Sequence, residues 1–309
     1  MKKIVNRADF TGVLYDHKLE LKTSGPNSKN PGTPFISGTI DIATDDAMLN
    51  IVTIHYTYVT EKTSRGQDNA NFKALKDIID GKTRTQMGCI EGGAKIRVNS
   101  AIDLNEFYSD RSGTEELVSA KRNEGGFIHS VSELPADRKG RNEFRVDMII
   151  NKVRSVEAND ERQIPEHCII SGYIFDFRGA IKPVDFTVYD KKGIAYFEGL
   201  ELPIFTQVWG PEVSTTVVRR QESETAFGGI EVRETTSTRK EFVVENASPV
   251  TYLWDDPAGI TMDELKTALA EREIYLADVK RRNDEWKKTR NQTATTTAVP
   301  KMSIGGFDF

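Results

Sequence analysis

Between Phe10 and about Val250, apolar and polar residues alternate in short runs, each ended by Gly, Asn, Asp or Pro. That is the period of half-buried strands. In Phe35–Ile42 the residues Ile36, Gly38, Ile40 and Ile42 take one phase, and Phe35, Ser37, Thr39 and Asp41 take the other. After a turn at Thr44-Asp45-Asp46, the run Met48–Val59 puts Val52, Ile54, Tyr56 and Tyr58 in one phase. The two segments predict a hairpin with both tyrosines facing the core unless a bulge turns the strand over. The period then changes: Phe72, Leu75, Ile78 and Ile79 share one helical stripe and Gly81 follows as a stop, predicting a short amphipathic helix over 71–80. Alternation returns with Ile96, Val98, Ile102 and Leu104, and a further strand is expected near Leu117–Ala120.

Counting a first strand over Phe10–Leu21, the order is three strands, a helix and two strands, which is the order of an OB-fold barrel and is shared by other small β-barrels with an inserted helix. The second half restates it. Ile36-Ser37-Gly38-Thr39-Ile40 recurs as Ile170-Ser171-Gly172-Tyr173-Ile174, flanked by alternating segments over Phe144–Val156 and Val184–Tyr189. The expected fold is therefore mainly β: two tandem OB-like small barrels over 1–135 and 142–256, joined through polar Pro135–Arg141. A mid-strand glycine in each copy permits the sharp coiling that closes a small barrel. No amphipathic helix is evident after the third strand of the second copy, so Lys191–Pro203 is expected to connect differently. Thr261 opens a C-terminal helix over 261–290, with Glu264 as its capping-box partner and Leu265, Leu269, Leu276 and Val279 as its apolar stripe. The Thr- and Ala-rich stretch 291–309 is expected to be a flexible tail with the aromatic tip Phe307-Asp308-Phe309.

Composition narrows the function. In 309 residues there are 42 Lys+Arg against 47 Asp+Glu, a net charge of −5, so nucleic acid cannot be held by bulk charge and would need a local surface. No run approaches the roughly 20 apolar residues of a membrane span, and the start MKKIVNRADF lacks a signal-peptide core, so a cytoplasmic protein without membrane contact is expected. Cys89 and Cys168 are too few for a disulfide framework, and both read as buried packing. His17, His55, His129 and His167 have no neighbours at metal or triad spacing, and no nucleophile-elbow or P-loop motif occurs. No catalytic residue, metal site or cofactor is expected. Asp45-Asp46 and Asp255-Asp256 read as turn residues, and Gly125-Gly126 and Gly228-Gly229 as hairpin turns.

Interleaved aromatic and basic residues are the remaining candidate chemistry. Single strands can be held by stacking bases on aromatic rings while Lys and Arg follow the phosphates. Residues outside the core phase that fit this role are Phe35, His55, Lys95 and Arg97 in the first half. In the second half they are Arg145, Lys152, Arg154, Tyr173, Phe175, Phe177, Arg178, Trp209, Arg219 and Arg220.

The stretch Phe35–Ile42, the run Asn71-Phe72-Lys73-Ala74-Leu75 after the third strand, and the tip Phe307-Asp308-Phe309 resemble the single-stranded-DNA-binding-like proteins of bacteriophages. The resemblance implies a non-enzymatic protein that protects single-stranded DNA in replication or recombination. It also implies that Phe307, Asp308 and Phe309 recruit replication or recombination proteins, although Ser303-Ile304-Gly305-Gly306 stands where the bacterial tails are acidic. Two other classes fit a barrel-built chain: a virion or assembly protein, and a replication adaptor that docks through the 261–290 helix.

Overall fold

The computed structural model describes residues 4–296, apart from 27, 89–91, 112, 160–163, 225–226, 228, 250, 253 and 255–259. The first half contains β1 (Asn6–His17), β2 (Glu20–Thr23), β3 (Pro34–Ala43), β4 (Ile51–Thr60), α1 (Ala70–Ile79), β5 (Lys95–Ser109) and β6 (Glu116–Ser130). β1 pairs with β3, β3 with β4, β4 with β6 in parallel, β6 with β5, and β5 with β1. That ring of five strands, with one parallel contact and a helix after the third strand, is the OB topology. Ile36, Ile40, Ile42, Val52, Ile54, Ile96 and Val98 fill it, as their alternation requires, and Leu75 and Ile78 of α1 close one end. Gly38 lies in the positive-φ region, and a Cβ there would meet the Lys18 carbonyl oxygen at 2.0 Å. No other residue fits this close approach.

After α2 (Arg138–Arg141), the second half runs β7 (Asn142–Val156), β8 (His167–Phe175), β9 (Ile181–Val188), α3 (Lys191–Glu198), β10 (Ile204–Gly210), β11 (Glu212–Glu224), β12 (Ile230–Phe242) and β13 (Asn246–Ala247). β7 pairs with β8 and β10, and β8 with β9. The chain after β12 closes this ring too: Val243 bridges Thr187 of β9 in parallel, and β13 pairs with β10. Contrary to the sequence expectation, a helix does follow the third strand of the second copy. Asp190 caps α3 by accepting from the Gly193 amide, and Phe197 is buried with Ile194 packed on the core beside it, so α3 covers its barrel as α1 does.

The two halves follow a similar strand order, but the five-residue match is not between equivalent positions. Each first strand carries a bulge, at Leu14/Asp16 in β1 and at Ile150/Lys152 in β7; beside it Leu14 faces Ile42, whereas Ile150 faces Gly172. In this register Asn6 matches Asn142. The side chain of Asn6 donates to the Ile102 carbonyl and accepts from the Ile102 amide, and Asn142 does the same to Glu212.

β1 and β7 pair antiparallel, so both barrels share one sheet with the path β13-β10-β7-β1-β5-β6-β4-β3-β2. In each barrel the hairpin joining the last two strands extends past the ring as an arm, and each arm's root lies on the other barrel. Lys121 of the first arm donates to the Asp185 carbonyl on β9, while Ser214 of the second bonds Asn50 and Ile51 before and within β4. The C-terminal helix α4 (Met262–Thr296) starts with the expected capping box, Thr261 N donating to Glu264 Oε2 and Glu264 N to Thr261 Oγ1. It then crosses from the second barrel to the first arm.

Candidate nucleic-acid interface

Two bulges decide what the first barrel shows to solvent. Between the pairs Ile36/Val59 and Gly38/Tyr56, β4 holds one residue more than β3, and its alternation flips there. Tyr56 stays in the core at 2% exposure, but Val59 takes the next inward place and Tyr58 turns out, 48% exposed. The expectation that both tyrosines face inward is corrected for Tyr58. On β6, Gly125 and Gly126, with φ of 66° and 117°, make a second bulge rather than a hairpin turn, because β6 holds the extra residue between Asn99/Phe127 and Ala101/Glu124. Ile128 packs on the core, and Phe127 is left 62% exposed.

With these corrections, outward aromatic and basic residues occupy every strand from β10 to β2 along the shared sheet. Trp209 on β10 lies opposite Arg145 on β7, whose guanidinium sits 4.4 Å from the indole centroid. Arg145 lies opposite Arg7 on β1, a like-charge pair across the seam between the barrels. Like charges directly opposed on a sheet repel, and the molecule tempers this along each strand: Arg7 Nε is 2.6 Å from Asp9, and Arg145 Nη2 is 3.0 Å from Glu143. β5 adds exposed Arg97, 3.8 Å from Asp9, and β6 adds Phe127. β4 and β3 contribute Tyr58 and Phe35, whose rings are 4.5 Å apart, with the Tyr58 hydroxyl on Ser24. Lys22 of β2 lies opposite Phe35 and closes the belt.

The residues singled out from sequence fall into four groups. Phe35, Arg97, Arg145 and Trp209 belong to the belt, flanked by Lys95 and by His55. Burial, with Arg122 and Lys240 nearby, lowers the His55 pKa and disfavours its charged form. Lys152 and Arg154 are exposed on the far part of β7, beyond its bulge and outside the belt, and Arg178 lies over the exposed ring of Phe177 in the β8–β9 loop. Phe175 is a correction: it is 1% exposed. Its strand does point it out of the second barrel, but Ile260 and Leu265 at the start of α4 cover that face and make a small second core with Ile149, Ile181 and Phe205. Tyr173 is half-buried against the same cluster. Arg219 and Arg220 are on β11, but their side chains lie outside the described residues, as do the tip Phe307, Asp308 and Phe309, and Cys89. Cys168 is buried, as expected.

Arg7, Lys22, Tyr58 and Phe127 are belt residues that the sequence reading missed. The Gly125-Gly126 pair was the available signal for Phe127, since glycine inside a strand run marks a bulge as readily as a turn. Nothing comparable marks the bulge before Tyr58.

Beneath the belt, the junction of the barrels is polar and closed. Glu212 is buried; its Oε2 accepts from Asn123, and its main chain is held by Asn142 and Asn50. Burial pushes its carboxyl up to about 7, against the pull of Asn123, Lys240 and Lys121. Burial likewise lowers the Lys121 ammonium, which sits 5.5 Å from the Phe186 ring. Among the described residues, no group of three or more His, Cys, Asp or Glu could hold a metal ion, and no helix is long and apolar enough to cross a membrane.

A deletion mutant of the single-stranded DNA binding protein from Thermus aquaticus superposes with a TM-score of 0.48 at 10% identity, over 82% of this chain and 97% of that one. The wild-type protein gives 0.47 at 10% identity, over 83% and 97%. At that level the likeness assigns no role to any residue. No curated protein matches the chain. The family model described as YorF matches residues 4–282, nearly all of the two barrels and most of α4. The chain belongs to the YorF family.

Proposed function

We propose that the chain binds single-stranded DNA without catalysis, along the belt from Trp209 to Lys22. One observation carries the reading: each of eight hydrogen-bonded strands spanning both barrels presents an outward aromatic ring or cation, although the chain as a whole is acidic. Charge so placed is a local surface rather than a bulk property. Phe35, Tyr58, Phe127 and Trp209 offer stacking platforms, each worth roughly 1–3 kcal/mol per base, and Lys22, Arg97, Arg7 and Arg145 meet the phosphates. An incoming phosphate also relieves the Arg7/Arg145 repulsion, which couples binding to the seam between the barrels.

Protection of exposed strands during phage replication or recombination, in the cytoplasm of the host, follows from this reading. Recruitment of replication proteins by Phe307, Asp308 and Phe309 extends it. The second-barrel face around Phe175 takes no part, because α4 covers it.

The test is fluorescence anisotropy with labelled oligo-dT and with duplex DNA of equal length, each at low and moderate salt. Preference for the single strand, weakening with salt and lost in Trp209→Ala and Tyr58→Ala, supports the proposal. No binding to either at low salt refutes it and favours a structural or adaptor protein.

A further inference from the structure

The two arms are equivalent in the fold and unequal in what braces them. The first, formed by the outer parts of β5 and β6, is held along its length. Lys182 of β9 lies 2.9 Å from Asp103, Arg272 of α4 binds Glu106, and Lys280, Asn283 and Lys287 reach Glu115 beside the turn. The second arm, β11 with β12, is tied at its root: Ser214 to Asn50 and Ile51, Lys240 to Thr53, Glu241 to Tyr189. From Val217/Ser237 out to Glu224/Ile230 its two strands pair with each other, and among the described residues no third strand pairs with either edge.

A lone two-stranded ribbon is marginal in water, and a long open edge is a template for another strand. The composition is that of strands inside a sheet: Thr215, Thr216, Val217, Val218, Ile230, Val232, Thr235, Thr236 and Thr238 are all β-branched. At the turn, Phe227 is fully exposed.

We propose that the second arm joins two copies of this chain, β11 of each pairing antiparallel with β11 of the other to make a four-stranded sheet. The order Arg219-Arg220-Gln221-Glu222-Ser223-Glu224 is self-complementary in that arrangement: centred on Gln221, it sets Arg220 of each copy opposite Glu222 of its partner. Opposite charges at facing positions stabilise such a pair and fix its register. A copy of α4 does not fit as the occupant. In the register set by Ile102 and Glu212, the place of Glu106, which α4 grips in the first arm, is taken by uncharged Thr216.

Sedimentation velocity of the full chain without DNA, over a concentration series at moderate salt, tests this. The expected result is a species of twice the 34.7 kDa chain mass. Arg220→Glu is expected to weaken it at least tenfold, and the double change Arg220→Glu with Glu222→Arg to restore it. Replacing residues 218–236 by Asn-Gly shortens the ribbon to a tight hairpin and leaves a monomer. A full chain that is monomeric throughout, a dimer that survives the shortening, or failure of the double change to rescue overturns the proposal. So does a chain that dimerises only on oligo-dT, which would place the ribbon on the DNA path. The readout needs no nucleic acid, so it stands or falls separately from the DNA-binding proposal.

Discussion

Replacing Glu212 by Gln isolates a buried carboxyl at the junction of the barrels. No Lys or Arg ion-pairs with it among the described residues, and its oxygen is served by the Asn123 amide, so burial raises it from 4.5 to about 7. A raised carboxyl binds its proton more tightly in the folded chain than in the unfolded one. The folded state is therefore favoured most below about pH 4.5, loses stability as pH rises towards 7, and changes no further through this group above that. At about 1.4 kcal/mol per pH unit, the whole window is worth roughly 3 kcal/mol. Urea denaturation at half-unit steps from pH 4.5 to 8.5, on the parent and Glu212→Gln, gives the comparison. Glutamine keeps the volume and an acceptor for Asn123 but has no proton to lose, and other titrating groups cancel in the difference. The variant should gain on the parent steadily up to pH 7 and then run parallel to it. Parallel curves over the whole range would mean that the carboxyl is hydrated or paired in solution, and would refute the reasoning.

Arg272→Ala should cost roughly 3–5 kcal/mol in thermal or chemical unfolding, because it leaves the fully buried Glu106 carboxylate without its guanidinium, and hydrogen exchange should show α4 loosening first. Asn142→Ala removes both side-chain bonds to the Glu212 main chain in a buried setting and should cost about 2 kcal/mol, read by the same denaturation. Phe175→Ala should destabilise by roughly 3–5 kcal/mol and leave oligo-dT affinity of the folded fraction intact, whereas Tyr58→Ala should do the reverse; a large affinity loss in Phe175→Ala would contradict the covered face. With four cations on the belt and about −0.7 per phosphate contact for single strands, log K against log salt should fall no more steeply than about −3, and a much steeper slope would point to cations elsewhere.

Much of this protein is legible in its alternation. The isoleucines of β3, Val52 and Ile54 of β4, and Ile96 and Val98 of β5 face inward because a strand set between core and water must place every second residue on the core side. The order of strands and helix is local information too, and it suffices for the OB topology; Thr261 with Glu264 announces the start of α4 for the same reason. Alternation cannot report where its own phase breaks. One extra residue between Tyr56 and Val59 depends on how β4 meets β3, and a contact between strands is not written in either strand alone. Tyr58, expected in the core, and Phe127, assigned no role by alternation, thus became central, and Phe175, outward by period, was covered by residues 85 and 90 positions later in the chain. The cross-strand meeting of Arg7 with Arg145, the matching roles of Asn6 and Asn142, and the closed setting of Glu212 likewise arise only when the barrels share a sheet, because a residue's neighbours across strands are chosen by packing and register, not by its place in the sequence.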